Sequence, residues 1–146
     1  APVHMFFGLQ ESLKMLEEEG LDAVFARHAR LGEATRAAVR AWGADGKGPQ
    51  LYGQAADRLS NSVTAVIMPE GVSADGMRKI AVDRFNLSLG GGLGPLMGKV
   101  FRIGHMGDLN EPMLLGALAT TELAMKTAGV PFAPGGVDAA IESLAH

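Results

Sequence analysis

Apolar positions near the start of the chain, Phe6, Leu9, Leu13 and Leu16, recur at spacings of three and four, which predicts an amphipathic helix over Met5 to Glu19 with Glu11, Lys14 and Glu18 outside. Glu17 to Glu19 end it against the helix dipole and Gly20 stops it, while Asp22 is placed to cap a second helix from about Ala23 to Trp42. Val24, His28, Leu31, Thr35, Ala38 and Trp42 form the stripe of that helix. Gly43 to Pro49 reads as a loop, Gln50 to Tyr52 as a short strand, and the segment around Asp57 to Asn61 as turn-rich. Val63 to Met68 is apolar on both alternating sets apart from Thr64, the pattern of a central strand buried on both faces. Pro69-Glu70-Gly71 turns the chain, and Ser73 caps a helix over Ala74 to Phe85 with Met77, Ile80, Ala81 and Phe85 on its buried stripe.

Leu87 to Leu89 reads as a returning strand, and Val100 to Ile103, bounded by Gly98 and Gly104, as another. Asn110 caps a helix with Pro112 in its first turn. This helix runs to Ala128, and its small residues Gly116, Ala117, Ala119 and Ala124 suit close packing on a sheet. Gly129 and Pro131 end it, and Val137 to Ala145 forms a last helix through Val137, Ala140, Ile141 and Leu144. The order of elements describes an α+β fold, a small and mostly antiparallel sheet covered by helices.

Composition narrows the function classes. A chain of 146 residues is long enough for one domain with a core of its own. A net charge of -3 with few aromatics argues against nucleic acid, single-stranded or double-stranded. The chain has no cysteine, which removes disulfides, thiolate metal sites and cysteine nucleophiles and agrees with a cytoplasmic setting. No apolar run of about 18 residues and no signal-peptide pattern occurs, so neither a membrane span nor export is expected.

Candidate chemistry centres on Leu87 to Asp108, where seven glycines surround a single arginine, Arg102. Side chains alternate along a strand, so Phe101 and Ile103 face one side while Arg102 shares the other with Val100. A guanidinium is always charged and needs an anionic partner, either a structural carboxylate or the carboxylate or phosphate of a ligand. The glycine loop Gly91, Gly92, Leu93, Gly94 can bring backbone close to a ligand or simply make a tight connection.

Its spacing departs from the dinucleotide fingerprint, and the loop around Lys47 departs from the phosphate-loop pattern. His28 fits a hydrogen-bonded core histidine, and His105 with Asp108 fits a structural role better than a metal pair, so no metal site is assigned. Arg27, Arg30, Arg36 and Arg40 read as a solvated face supported by pairs such as Glu33 with Arg36.

The run GGLGPLMGKVFRIGHMGD resembles the C-terminal part of class V, fold-type I pyridoxal-phosphate aminotransferases, in particular the serine-glyoxylate and alanine-glyoxylate branch. The opening PVHMFFGLQESLKMLEEEGLDAVFARH resembles their helical connector, and VTAVIMPEGVSADGMRKIAVDRFNLSL their small-domain strand-helix-strand unit. The resemblance implies that residues 1–20 connect to a large domain absent from this chain, and that residues 21–146 form the small C-terminal domain.

It further implies a homodimer that moves an amino group from an amino acid such as serine or alanine to a 2-oxo acid such as glyoxylate. Pyridoxal phosphate would be bound by the large domain of the same polypeptide. Arg102 would grip the substrate carboxylate and the glycine loop would border the pocket; no catalytic or cofactor-binding residue is assigned here, since none of the five lysines matches the Schiff-base motif. The chain alone is then expected to be inactive. The competing expectation is a stand-alone domain that binds a small metabolite or dimerises, without catalysis.

Overall fold

The computed structural model describes residues 2–53, 55 and 59–146. Of the turn-rich segment expected around Asp57 to Asn61, Asp57 and Arg58 lie outside the described residues. Five helices and four strands follow in the order α1 (Val3–Glu19), α2 (Leu21–Trp42), β1 (Gln50–Leu51), β2 (Val63–Ile67), α3 (Ala74–Phe85), β3 (Gly90–Gly91), β4 (Val100–Gly104), α4 (Glu111–Ala128) and α5 (Gly136–Ala145) among the described residues. A single 3-10 turn, Gly94–Leu96, interrupts the β3–β4 connection.

The sheet has the order β1-β2-β4-β3 and every pairing is antiparallel. Strands β2 and β4 form its centre, with Ala65 opposite Arg102 and Val66 opposite Phe101. Their inner face carries Thr64, Val66, Phe101 and Ile103, all buried beneath the helices. Leu31, Ala34, Ala38, Val39 and Trp42 of α2, Met77 and Ala81 of α3, and Leu114, Leu118 and Met125 of α4 complete the core. Burial of this kind contributes roughly 1.5–3 kcal/mol per large side chain and drives the layer together.

The fold therefore has two layers, one sheet and its helices, and this corrects the expectation for β2. Thr64 and Val66 are buried, but Val63, Ala65 and Ile67 on the alternate face are only half-buried, because the helices cover one side of the sheet. Leu87 to Leu89, expected as a strand, belongs instead to the end of α3 and the turn beyond it. Asn86 takes a left-handed conformation and Leu87 N–H donates to the Ala81 carbonyl, a helix cap that consumes the backbone group a strand would need. Strand pairing begins only at Gly90.

Helix boundaries otherwise follow their chemistry. Ser73 Oγ accepts from Gly76 N–H at 3.0 Å and Asn110 Oδ1 from Met113 N–H at 3.1 Å, both as expected. Asp22 does not cap α2; Gly20, at φ 82°, turns the chain so early that Asp22 already lies in the first turn, where its charge suits the helix dipole. Helix α4 packs on α3, α5 and α2, with Leu114, Leu118, Thr121, Ala124 and Met125 inward, while Gly116 and Ala119 are exposed; its small residues do not serve a sheet contact. In α5, Ile141 is exposed and Ala140 supplies the buried contact.

Helix α1 stands apart. It buries no residue of its own, and Phe6 and Phe7 are 61% and 67% exposed. Its C-terminal end is tied to α2 by Glu19, whose carboxylate accepts two hydrogen bonds from Arg27 at 2.6 and 2.7 Å. That ion-pair hydrogen bond holds the Glu19 carboxyl below its usual range.

Candidate functional site around Arg102

Arg102 lies at the middle of β4, on the sheet face that the helices leave uncovered, with Ala65 of β2 on one side and Gly90 of β3 on the other. Both neighbours are small, so no side chain roofs the guanidinium from across the strands. A Cβ at Gly90 would stand 3.1 Å from Arg102 Cβ and 3.3 Å from Nε, so only glycine leaves the arginine this path without displacement. Arg102 Nε donates to the Gly91 carbonyl at 2.8 Å. Among the described residues no carboxylate pairs with Arg102, and its two terminal nitrogens have no partner. The side chain is half-buried, a state that suits an anion-binding fork anchored at its stem.

The strand carrying Arg102 is fixed along its whole length. Five residues of β4 are in register with β2, and the segment beyond it is tied to α2 and β2 by three side chains. His105 is fully buried, its Nδ1 donating to the Asn61 carbonyl at 3.0 Å and its Nε2 accepting from the Thr64 hydroxyl at 2.9 Å. A carbonyl can only accept, so Nδ1 carries a proton; in the neutral ring Nε2 then accepts from the Thr64 hydroxyl. Burial, with a smaller contribution from the Arg36 charge, pushes the His105 pKa down. His28 Nδ1 similarly donates to the Val24 carbonyl at 2.7 Å while Nε2 accepts from Gly107 N–H at 3.0 Å. Arg27 adds bonds to the Gly107 and Leu109 carbonyls at 2.7 and 3.1 Å.

The glycine loop divides into two parts. Gly91 lies in β3 and offers its carbonyl to Arg102. Gly92 continues the pairing with β4, its N–H donating to the Val100 carbonyl at 2.8 Å, and the turn beyond is closed by Leu96 N–H donating to the Leu93 carbonyl. A Cβ at Gly92 would stand 2.1 Å from the Leu96 carbonyl oxygen, so the tight backbone crossing accounts for this glycine. Leu93 is exposed. The structure thus brings Gly91 to Arg102 and leaves Leu93 and Gly94 in the turn beyond.

Of the arginines of α2, Arg30 and Arg40 are exposed as expected and the Glu33–Arg36 pair forms, but Arg36 itself is not part of a solvated face. Arg36 is 7% exposed and donates to Glu33 at 2.8 Å, the Ser60 carbonyl at 3.1 Å and Asn61 Oδ1 at 3.3 Å. Arg30 pairs with Glu111 and Arg27 with Glu19. Three- and four-residue spacing could not reveal these partners, because most of them come from distant parts of the chain. Near Arg102, its cross-strand partner Ala65 also lines a hollow of about 320 Å³ with Leu51, Tyr52, Leu59 and Val63. Among the described residues, no group of three or more His, Asp or Glu is arranged to hold a metal ion, and no helix is long and apolar enough to cross a membrane.

No protein-family model matches the chain. Over 142 residues it is 49% identical to the serine-glyoxylate aminotransferase of Methylorubrum extorquens, taking in 97% of this chain and 34% of that protein. It is 46% identical over 145 residues to the serine-glyoxylate aminotransferase of Arabidopsis thaliana, covering 99% of this chain and 35% of the relative. Among solved structures, the ureidoglycine-glyoxylate aminotransferase of Bacillus subtilis superposes with a TM-score of 0.87 at 28% identity, over 97% of this chain and 36% of that one. The pyridoxamine-pyruvate aminotransferase of Mesorhizobium loti gives 0.84 at 35% identity, over 94% of this chain and 34% of that one. The chain spans about a third of the length of the curated relatives it matches.

Proposed function

Since this chain belongs to the class V, fold-type I pyridoxal-phosphate aminotransferases, matching their C-terminal portion, we propose that Arg102 holds the substrate carboxylate in a transaminase of the serine-glyoxylate and alanine-glyoxylate branch. The observation that carries this reading is the state of the guanidinium. Nε is anchored on the Gly91 carbonyl, and the two terminal nitrogens, flanked by Ala65 and Gly90, have no carboxylate partner among the described residues. A planar fork in that state accepts a carboxylate through two parallel hydrogen bonds, which fixes orientation as well as position.

The reaction is amino transfer from an amino acid such as serine to a 2-oxo acid such as glyoxylate. Both carry a carboxylate next to the reacting carbon, so one arginine can hold either in turn.

The residues of this chain do not fit the cofactor's own attachment. All five lysines are exposed, and Lys79 is paired with Asp83 at 2.5 Å, whereas the anchoring amine must be enclosed and deprotonated. In this account pyridoxal phosphate is held by a large domain of the same polypeptide, and residues 21–146 serve as the small domain that presents Arg102. Residues 1–20 act as the connector, whose exposed apolar face covers part of that large domain, and the whole works as a cytoplasmic homodimer.

The test uses the full-length enzyme with serine and with serine methyl ester. The wild type should strongly prefer the free acid, and Arg102→Ala should lose most of that preference. Equal preference in both proteins would refute the role of Arg102.

A further inference from the structure

A second arginine reaches the same strand edge from the other side. Strand β3 is the edge of the sheet and consists of two glycines. Successive residues of a strand face opposite ways, and the two glycines show this by what a side chain would strike. At Gly90 a Cβ would meet Arg102, on the open face; at Gly91 it would meet Arg78 Nη1 at 2.8 Å, on the face covered by α3. Arg78 Nε donates to the Leu89 carbonyl at 2.8 Å, and Arg102 Nε donates to the Gly91 carbonyl at the same distance. Leu89 and Gly91 are two residues apart, so these carbonyls point to the same side of the chain. Arg78 is itself oriented by Asp75, which accepts from Nη1 at 2.7 Å.

We infer that Arg78 is a positioning residue for Arg102: it fixes the Leu89–Gly91 backbone from beneath the sheet, and this backbone in turn sets the direction of the Arg102 fork. The inference rests on the proposed role of Arg102 as the carboxylate grip. An edge of two glycines has no side chains to pack and the greatest backbone freedom, so without a second anchor the carbonyl that orients Arg102 would wander. A charge-assisted hydrogen bond to that edge is the available restraint.

The experiment measures KM and kcat for glyoxylate, and the melting temperature, in the full-length enzyme for Arg78→Ala, Arg78→Lys, Arg102→Lys and the double variant Arg78→Ala/Arg102→Lys. Arg78→Lys keeps the charge beside Asp75 but cannot reproduce the Nε bond, so it tests the inference even if the alanine variant folds poorly. Both Arg78 variants should raise KM by about threefold to tenfold with kcat changed less than about twofold, the signature of a disturbed binding contact. In the Arg102→Lys background the Arg78→Ala effect should shrink below about twofold, because the residue it positions has gone. A lowered melting temperature with unchanged KM, or a KM effect of the same size in both backgrounds, would overturn the inference while leaving Arg102 as the grip. If Arg102→Lys itself leaves KM and kcat unchanged, the carboxylate role fails and this inference with it.

Discussion

Two arginines of this chain invite comparison, Arg36 on α2 and Arg102 on β4. Arg36 is almost wholly enclosed, and all three sides of its guanidinium are engaged, by Glu33, the Ser60 carbonyl and Asn61. Arg102 is half-buried, and among the described residues only its stem nitrogen is engaged. Both carry a charge that demands partners; Arg36 meets that demand within the chain, whereas two donors of Arg102 have no partner among the described residues. Enclosure therefore marks Arg36 as structural, and the anchored stem with a fork unpaired among the described residues is what the proposed carboxylate role of Arg102 rests on.

The sharpest break of that comparison is Arg36→Met in this chain. It should cost about 1–3 kcal/mol, since it removes three hydrogen bonds made by a nearly enclosed guanidinium. Chemical denaturation followed by circular dichroism would read this, and a loss below about 0.5 kcal/mol would place Arg36 among the surface residues.

Acid should act next, and on the Arg36 neighbourhood. His105 is held neutral in the fold with its pKa pushed below the ordinary 6.5, mainly by burial. The unfolded chain therefore takes up this proton first, and stability falls as pH drops below 6.5 towards the lower folded value. Glu33 adds a second loss at lower pH. Burial raises its pKa, but hydrogen bonds from Arg40 and Arg36 outweigh that and hold it below 4.5, so its contribution is present above that value and disappears as pH falls through the folded pKa. Melting temperatures between pH 7.5 and 3.5 should decline in this order, and His105→Gln should flatten the first step.

The smallest effect is expected on α1. Phe6→Gln with Leu13→Gln should change the stability of this chain by less than about 0.5 kcal/mol, because neither side chain is buried in it. The same pair should reduce self-association, measured by sedimentation, if the exposed stripe is what makes copies adhere.

Much of this arrangement was legible in the sequence. The helix α3, its Ser73 cap, the Asn110 cap and the bounds of β4 all follow from local rules, since hydrophobic period, capping side chains and flanking glycine act within a few residues. The pairing of Arg36 with Glu33 follows from their spacing, but its bonds to Ser60 and Asn61 were not legible, because these reach it across 24 and 25 residues of chain. The shift of strand pairing from Leu87 to Gly90 was hidden for a related reason. A helix cap at Asn86 competes for the same backbone groups, and two glycines carry no strand signal. At Arg102 the sequence supplied the residue and its face, but the support from Gly91 and the contact of Arg78 with the far side of β3 depend on the edge being built.

The central claim is that Arg102 is a ligand-binding arginine, and Arg102→Lys in the full-length enzyme tests it most directly. An ammonium keeps the charge but not the planar fork, so kcat/KM should fall by about tenfold to a hundredfold, equivalent to losing one charge-assisted hydrogen bond of roughly 1.5–3 kcal/mol. The melting temperature should stay nearly constant, since only the bond to the Gly91 carbonyl is lost from the fold. A variant with normal kcat/KM and a clearly lowered melting temperature would show that Arg102 serves the structure as Arg36 does, and would contradict the account.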